Sequence, residues 1–305
     1  MLFVLQEILT QKIKSSNDGF SICIRREDLI HPFISGNKFR KLKYNLIQAK
    51  KENQKTLITF GGAFSNHIAA LAYSGKEQGF KTIGIIRGDE LESKINENPT
   101  LKFAQECGMQ FKFVTREDYR RKTEPEFIEN LTQEFGNFYL IPEGGTNEFA
   151  VKGCEEILSE EDAEFDFICC AVGTGGTISG IINSILPHQK VLGFPALKGD
   201  FLNEEIRKFA RKENWELITD YHFGGYGKVN PELIAFINQF YAENSIPLDP
   251  IYTAKMVFGL MDLIKKNYFP ENSKILIIHT GGIQGIAGMN LKLKAKKSPI
   301  INFND

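Results

Sequence analysis

Three apolar runs in this sequence each stop at a glycine cluster. Thr56-Leu57-Ile58-Thr59-Phe60 ends at Gly61-Gly62, and Phe165–Val172 ends at Gly173-Thr174-Gly175-Gly176-Thr177. Lys274-Ile275-Leu276-Ile277-Ile278-His279 ends at Thr280-Gly281-Gly282. Runs of this length without alternation read as strands buried on both faces, which a mostly parallel sheet requires. Helical periodicity lies between them, in Phe39, Leu42, Leu46 and Ala49, in Ile68, Leu71 and Ala72, in Leu233, Ile234, Ile237 and Phe240, and in Met256, Leu260, Leu263 and Ile264. Strands alternating with helices predict an α/β chain of mostly parallel sheets flanked by helices. In such sheets ligands sit beyond the carboxyl ends of the strands, where these three glycine clusters fall.

Shorter signals fill in the order. Phe20–Arg25 alternates as a strand, and Thr82–Ile86, Phe111–Val114 and Phe138–Ile141 read as further strands. Asn98-Pro99 reads as the cap and first residue of a helix running to Cys107-Gly108. A charged helix is expected up to about Phe135, another near Glu148–Leu158 and another over 201–213. Val191–Phe194 and Glu216–Ile218 are weaker strands. At 305 residues the chain suits two domains or one large one.

The totals exclude several classes of partner. The net charge is −1 and basic residues are scattered, so no nucleic-acid or anionic-membrane surface is expected. No apolar run approaches a membrane span. Met1–Glu7 lacks the basic region and cleavage site of a signal peptide. None of the five cysteines forms a Cys-x-x-Cys pair, and Cys169 and Cys170 sit inside an apolar run, which suits a cytoplasmic protein with reduced thiols. The five histidines show no metal-ligand spacing, and no metal is expected.

Gly173-Thr174-Gly175-Gly176-Thr177 stands between a strand and a helix, where backbone N–H groups and the helix N-terminus favour an anion. Neither the dinucleotide glycine spacing nor a P-loop lysine is present, and a plain tight turn is the alternative. Ser65-Asn66 falls where a helix N-cap belongs, so capping competes with a ligand-binding role. Lys38, in Ser35-Gly36-Asn37-Lys38-Phe39-Arg40-Lys41-Leu42, enters a helix just after a glycine. Taken alone it reads as a surface lysine. A lysine there, facing a cleft, would have its charged form disfavoured by burial and by the helix dipole. Tyr226 and Tyr252 stand in loop-like contexts, where a packed ring with a surface hydroxyl is the plain reading.

Arg26-Glu27-Asp28-Leu29, Gly36–Leu42, Gly62–His67, Pro142–Asn147, Gly173–Gly180, Tyr252-Thr253-Ala254-Lys255 and His279–Gly282 keep one order along most of the chain. Together they resemble the D-cysteine desulfhydrase / 1-aminocyclopropane-1-carboxylate (ACC) deaminase family of pyridoxal-phosphate enzymes. That resemblance implies a two-domain fold of the tryptophan-synthase-β type (fold type II). A large cofactor-binding domain would comprise residues 1–39 and 148–305, and a small α/β domain residues 40–147. It implies that Lys38 is the Schiff-base lysine, that Asn66 meets the cofactor's phenolic oxygen, and that Gly173, Thr174, Gly175, Gly176 and Thr177 form the phosphate cup. Thr253 and Thr280 would lie on the cofactor's ring side, Thr280 near the pyridine nitrogen. Ser65, Tyr226 and Tyr252 would face a small amino-acid substrate. A homodimer is expected on the same ground.

The deaminases resemble Tyr-Glu-Gly-Lys at 252–255, His-Leu-Gly-Gly at 279–282 and Ser-Asn-Gln at 65–67. Thr253, Thr280 and His67 stand in their place here, which leans toward D-cysteine desulfhydration. A threonine leaves the pyridine nitrogen largely neutral, sufficient for β-elimination of a thiolate. ACC ring opening is the alternative activity, and a non-catalytic binder of the cofactor the alternative of another class. Ala254, Phe64 and Ile283-Gln284-Gly285 depart from the family pattern.

Overall fold

The structure, a computed structural model, describes residues 8–14, 19–34, 36–199 and 201–303. The N-terminal segment Met1–Glu7 and Ser35, both read above, lie outside these. In chain order the strands are β1 (Thr10–Lys12), β2 (Ser21–Arg25), β3 (Thr56–Gly61), β4 (Lys81–Arg87), β5 (Gln110–Val114), β6 (Tyr139–Ile141), β7 (Phe167–Val172), β8 (Lys190–Pro195), β9 (Trp215–Leu217) and β10 (Lys274–Ile278). The helices are α1 (Asn37–Lys51), α2 (Asn66–Gln78), α3 (Pro99–Glu106), α4 (Arg116–Arg120), α5 (Pro125–Phe135), α6 (Glu148–Cys154), α7 (Gly176–Ser184), α8 (Phe201–Arg207), α9 (Pro231–Asn244), α10 (Thr253–Lys265) and α11 (Gly285–Ala295).

Two sheets result. The six-stranded sheet runs β1-β2-β10-β7-β8-β9, and the four-stranded sheet runs β5-β4-β3-β6. All pairings are parallel except β1 with β2. The apolar runs are continuous because both faces are covered. In β7, Cys169 and Ala171 pack with residues of α9, α10 and α11, while Ile168, Cys170 and Val172 pack with residues of α7 and α8. The smaller sheet repeats this: Leu57 and Ile86 face residues of α1, α2 and α3, whereas Ile58, Phe60, Ile83 and Ile85 face Tyr119 of α4 and Leu131 of α5.

Capping fixes the helices that matter for the site. Ser65 Oγ accepts from the Ile68 N–H at 3.3 Å at the head of α2. Asn98 Oδ1 accepts from the Thr100 and Leu101 N–H groups at 3.0 and 3.1 Å. Gly36 precedes α1 with φ +52°, and a Cβ there would lie 2.1 Å from Thr280 O, so only glycine lets α1 start against the 280–282 loop.

Some expectations shift. The helix expected up to Phe135 is two helices, because Pro125 cannot continue a helix and pushes Glu124 into an extended conformation (ψ 140°). The helix expected over 201–213 ends at Arg207. Beyond it, Asn183 accepts from the Arg211 N–H at 2.7 Å and Lys212 Nζ donates to Ile185 O at 2.6 Å, tying the segment to the end of α7 instead. The helix expected near 148–158 is α-helical only to Cys154, and β9 begins one residue earlier than expected.

Candidate active site

The carboxyl ends of β3, β7 and β10 open on one cavity, with about 680 Å³ of empty space including its open mouth. Its wall includes Lys38, Ser65, Asn66, Gly173, Thr174, Gly175, Thr177, Tyr226, Tyr252 and Thr280, which the sequence had named separately. Gly176, also named, begins α7 directly behind this wall, and its α-carbon faces Thr146 and Lys41 Nζ. Thr253 is the exception. It is fully buried, and its hydroxyl accepts from the Asp249 N–H at 2.8 Å and lies 3.1 Å from Asp249 Oδ1, away from the cavity.

Lys38 stands in the first turn of α1. Its Nζ donates to Asn37 Oδ1 at 2.9 Å. Burial, followed by the neighbouring Lys41 charge, lowers its amine from 10.5 to about 7. Near neutrality a sizeable share of this amine is therefore unprotonated, the form needed for a nucleophile or a base. Asn37 Nδ2 donates to Thr177 Oγ1 at 2.7 Å, joining α1 to α7. No side-chain hydrogen bond to Asn66 is formed among the described residues, which leaves its amide free for a ligand.

The glycine turn between β7 and α7 lines the cavity and can accept an anion. Gly175 has φ +85°, and Thr177 and Ile178 in the first turn of α7 line the cavity. Lys41 completes it. Its buried Nζ donates to Gly144 O at 3.0 Å and Thr146 Oγ1 at 2.9 Å, with Thr174 Oγ1 at 3.4 Å. Burial lowers the Lys41 amine as well.

Opposite stand the two tyrosines, rings 6.1 Å apart and edge to face. Burial raises both hydroxyls above the ordinary tyrosine value, Tyr252 the more strongly. Tyr252 also lies against Gly173, where a Cβ would meet its ring at 3.1 Å. Lys255 of α10 donates to His222 O and Gly225 O, both at 2.9 Å, and so holds the turn that carries Tyr226.

Three further residues of the site were given no site role from the sequence, although His67 marked a departure from the deaminase pattern. Lys41 has the same-face spacing of three from Lys38, which could have marked it. His67 is buried in the cavity wall. Thr59 Oγ1 donates to Ile141 O at 2.8 Å, so it accepts from His67 Nε2 at 2.9 Å, leaving Nδ1 as a buried acceptor without a partner. Burial, with the charges of Lys38 and Lys41, holds this imidazole well below its ordinary value, so it is neutral. Asp249 is the third: buried, close to Lys38, and with one carboxylate oxygen unpartnered. No cluster of residues able to hold a metal occurs among the described residues.

A near-neutral lysine, a free amide and a cationic glycine cradle around one cavity are a donor set for an aldehyde-bearing phosphate. Comparison with known proteins gives the same answer. A family model described as "Pyridoxal-phosphate dependent enzyme" matches residues 7–281. A Thermotoga maritima protein, named provisionally as a 1-aminocyclopropane-1-carboxylate deaminase, is 31% identical over 92% of this chain and 94% of its own. The bifunctional D-cysteine desulfhydrase/1-aminocyclopropane-1-carboxylate deaminase of Arabidopsis thaliana mitochondria is 30% identical over 88% of this chain and 74% of its own. The crystal structure of an ACC deaminase homologue superposes with a TM-score of 0.83 at 30% identity, covering 95% of this chain and 94% of that one. The fold is thus that of the tryptophan-synthase-β type, and this chain belongs to the family of pyridoxal-phosphate-dependent enzymes.

Proposed function

We propose that this enzyme degrades a small amino acid, with β-elimination of D-cysteine to pyruvate, ammonia and sulfide as the reading its residues support best. The observation that carries it is the Lys38 amine, lowered to about 7 in the same cavity as the coupled Tyr226 and Tyr252 hydroxyls. Pyridoxal phosphate would be held by Lys38, by the Asn66 amide, and by the Gly173–Thr177 turn with Lys41 at its phosphate. When bound, it supplies an electron sink for the negative charge left at the substrate Cα.

The protein's own groups then have defined tasks. Lys38 Nζ would remove the substrate Cα proton; its lowered proton affinity matches a base working near neutral pH. Ser65 Oγ and the N–H groups at the head of α2 orient the carboxylate. Tyr252, whose hydroxyl burial keeps protonated, faces the departing sulfur with Tyr226 behind it, and can give it a proton. Sulfide leaves from Cβ, and the aminoacrylate released hydrolyses to pyruvate and ammonia.

For sulfide elimination over ring opening, the supporting feature is that no carboxylate lines the described cavity wall. Thr253 and Thr280 take the positions where the deaminases carry a glutamate and a leucine. Ring opening of ACC is the second reading, favoured by the names of the relatives. We further propose that residues 40–147 form the small domain and residues 1–39 with 148–305 the large one, in a cytoplasmic homodimer. No helix of the described residues is long and apolar enough to cross a membrane.

Pyruvate and 2-oxobutanoate release from D-cysteine, L-cysteine, D-serine and ACC by the loaded enzyme, with Lys38→Ala as blank, tests the reading. Turnover of D-cysteine alone is expected. Turnover of ACC in preference to D-cysteine would overturn the choice of bond, and activity in Lys38→Ala would overturn the choice of base.

A further inference from the structure

Asp249 lies in the turn between α9 and α10 and is 1% exposed. Its Oδ1 accepts from the Tyr252 N–H at 2.9 Å and the Thr253 N–H at 2.7 Å, with Thr253 Oγ1 at 3.1 Å. That oxygen caps the head of α10. Its Oδ2 is equally buried and has no partner. A helix cap needs one acceptor, and asparagine or serine supplies it about as well as aspartate. A second, unpaired oxygen on a buried carboxylate is costly and adds nothing to the cap.

The free oxygen lies behind Gly282, which lines the cavity. A Cβ on Gly282 would lie 2.9 Å from Asp249 Oδ2 and 2.9 Å from Asn66 Nδ2, so the bare backbone of Gly282 separates the carboxylate from the cavity. The charged and titratable groups facing Asp249 are Lys38 of α1, Tyr252 and Lys255 of α10, Tyr226 of the 222–227 turn and His279 at the end of β10. Two of these are engaged elsewhere. Lys255 is held by two carbonyls, and the His279 ring nitrogens by Pro247 O at 2.7 Å and the Gly281 N–H at 3.2 Å. Lys38 itself faces Lys41 on α1, Cys154 of α6, Cys170 of β7 and His67 of α2, none of which is a carboxylate.

We propose that Asp249 is a positioning residue whose unpaired oxygen, close behind Gly282 in the loop against which α1 starts, supplies the counter-charge to the Lys38 nitrogen. The Asp249 charge favours the protonated Lys38 nitrogen against burial and Lys41. Its own burial disfavours its charge, so the two groups depend on each other.

The inference rests on Lys38 being the cofactor lysine, and the experiment separates the two. Wild type, Asp249→Asn, Asp249→Ser and Lys38→Ala are incubated with pyridoxal phosphate, and the visible absorption of the protein-bound cofactor is followed against pH, with thermal unfolding alongside. Asn and Ser both keep a cap acceptor and lack the charge. Both variants are expected to unfold near the wild-type temperature and to lose the long-wavelength, protonated band at a pH at least one unit lower, roughly a tenfold fall in proton affinity. A band that titrates as in wild type in both variants overturns the proposal and leaves Asp249 a cap. Failure of both to fold, or loss of cofactor uptake by both, overturns it as well, since it predicts a shifted band and not a lost site. A bound-cofactor band in Lys38→Ala overturns the reading of Lys38 itself.

Discussion

Asn37 ties the lysine helix to the anion cradle, its Nδ2 donating to Thr177 Oγ1 at 2.7 Å while its Oδ1 receives Lys38 Nζ at 2.9 Å. One amide therefore sets the distance between the amine and the glycine turn. Asn37→Ala should fold, because the residue is not fully buried, and should weaken pyridoxal-phosphate affinity by about tenfold, or ~1.4 kcal/mol. Fluorescence titration of the cofactor-free protein measures this.

Lys38 is also a source of instability before the cofactor arrives. Its amine is lowered from 10.5 to about 7 by burial. Between those values the unfolded chain holds a proton that the folded chain does not, so stability rises with pH across that window. Lys38→Met should raise the melting temperature of the cofactor-free protein by about 3–6 °C at pH 7. The gain should shrink as pH climbs and vanish above the unfolded value, as melting curves at several pH values would show.

Arg25 and Asp162 form a bidentate pair, both contacts at 2.7 Å, buried far from the cavity. Asp162→Ala strands a guanidinium whose other partners are the Ile157 carbonyl and the Thr10 hydroxyl. It should cost about 3–5 kcal/mol in urea unfolding. Turnover per folded molecule should stay at the wild-type level.

A Cβ on Gly153 of α6 would lie 2.0 Å from the Arg40 carbonyl of α1. Neither backbone can give way without moving a helix that borders the site. Gly153→Ala should destabilise by roughly 3 kcal/mol, read from denaturant midpoints, despite the better helix propensity of alanine.

Lys255 holds the turn that carries Tyr226. Lys255→Met frees two carbonyls of the turn that carries this tyrosine and should lower kcat/KM about tenfold. The double variant Lys255→Met/Tyr226→Phe should be no worse than Tyr226→Phe alone, a non-additivity that a double-mutant cycle reads directly.

The parallel sheets and the glycine-ended strands were legible because buried strands must be apolar and ligand loops must let backbone approach. That Lys38, Ser65, Asn66 and the Gly173–Thr177 turn meet at one cavity was legible from motif order together with strand ends. Thr253 was misplaced relative to the cavity because nothing in a sequence shows which way the first turn of α10 is rotated; its hydroxyl turns back to Asp249. Asp249 stayed hidden, and His67 was read only as a departure from the deaminase pattern, for a related reason: a buried polar residue differs from a surface one only by its neighbours, and those come from β3, β10 and α1. The short β1 and the helix α11 were missed because three residues cannot display a period, and the apolar and lysine positions of 285–295 do not segregate into a clear stripe.

The position of β10 between β2 and β7 governs how this protein can be made. As the chain leaves the ribosome, β3 to β6 are all available by Ile141, so the four-stranded sheet can close early. The β1–β2 hairpin, the first strand pair synthesised, waits for residues 274–278 before it joins the rest of its sheet. Until then β2 and β7 each expose an unpaired inner edge. A product truncated before Lys274 would carry an intact small sheet and two sticky edges, and so would be prone to aggregation, not merely inactive.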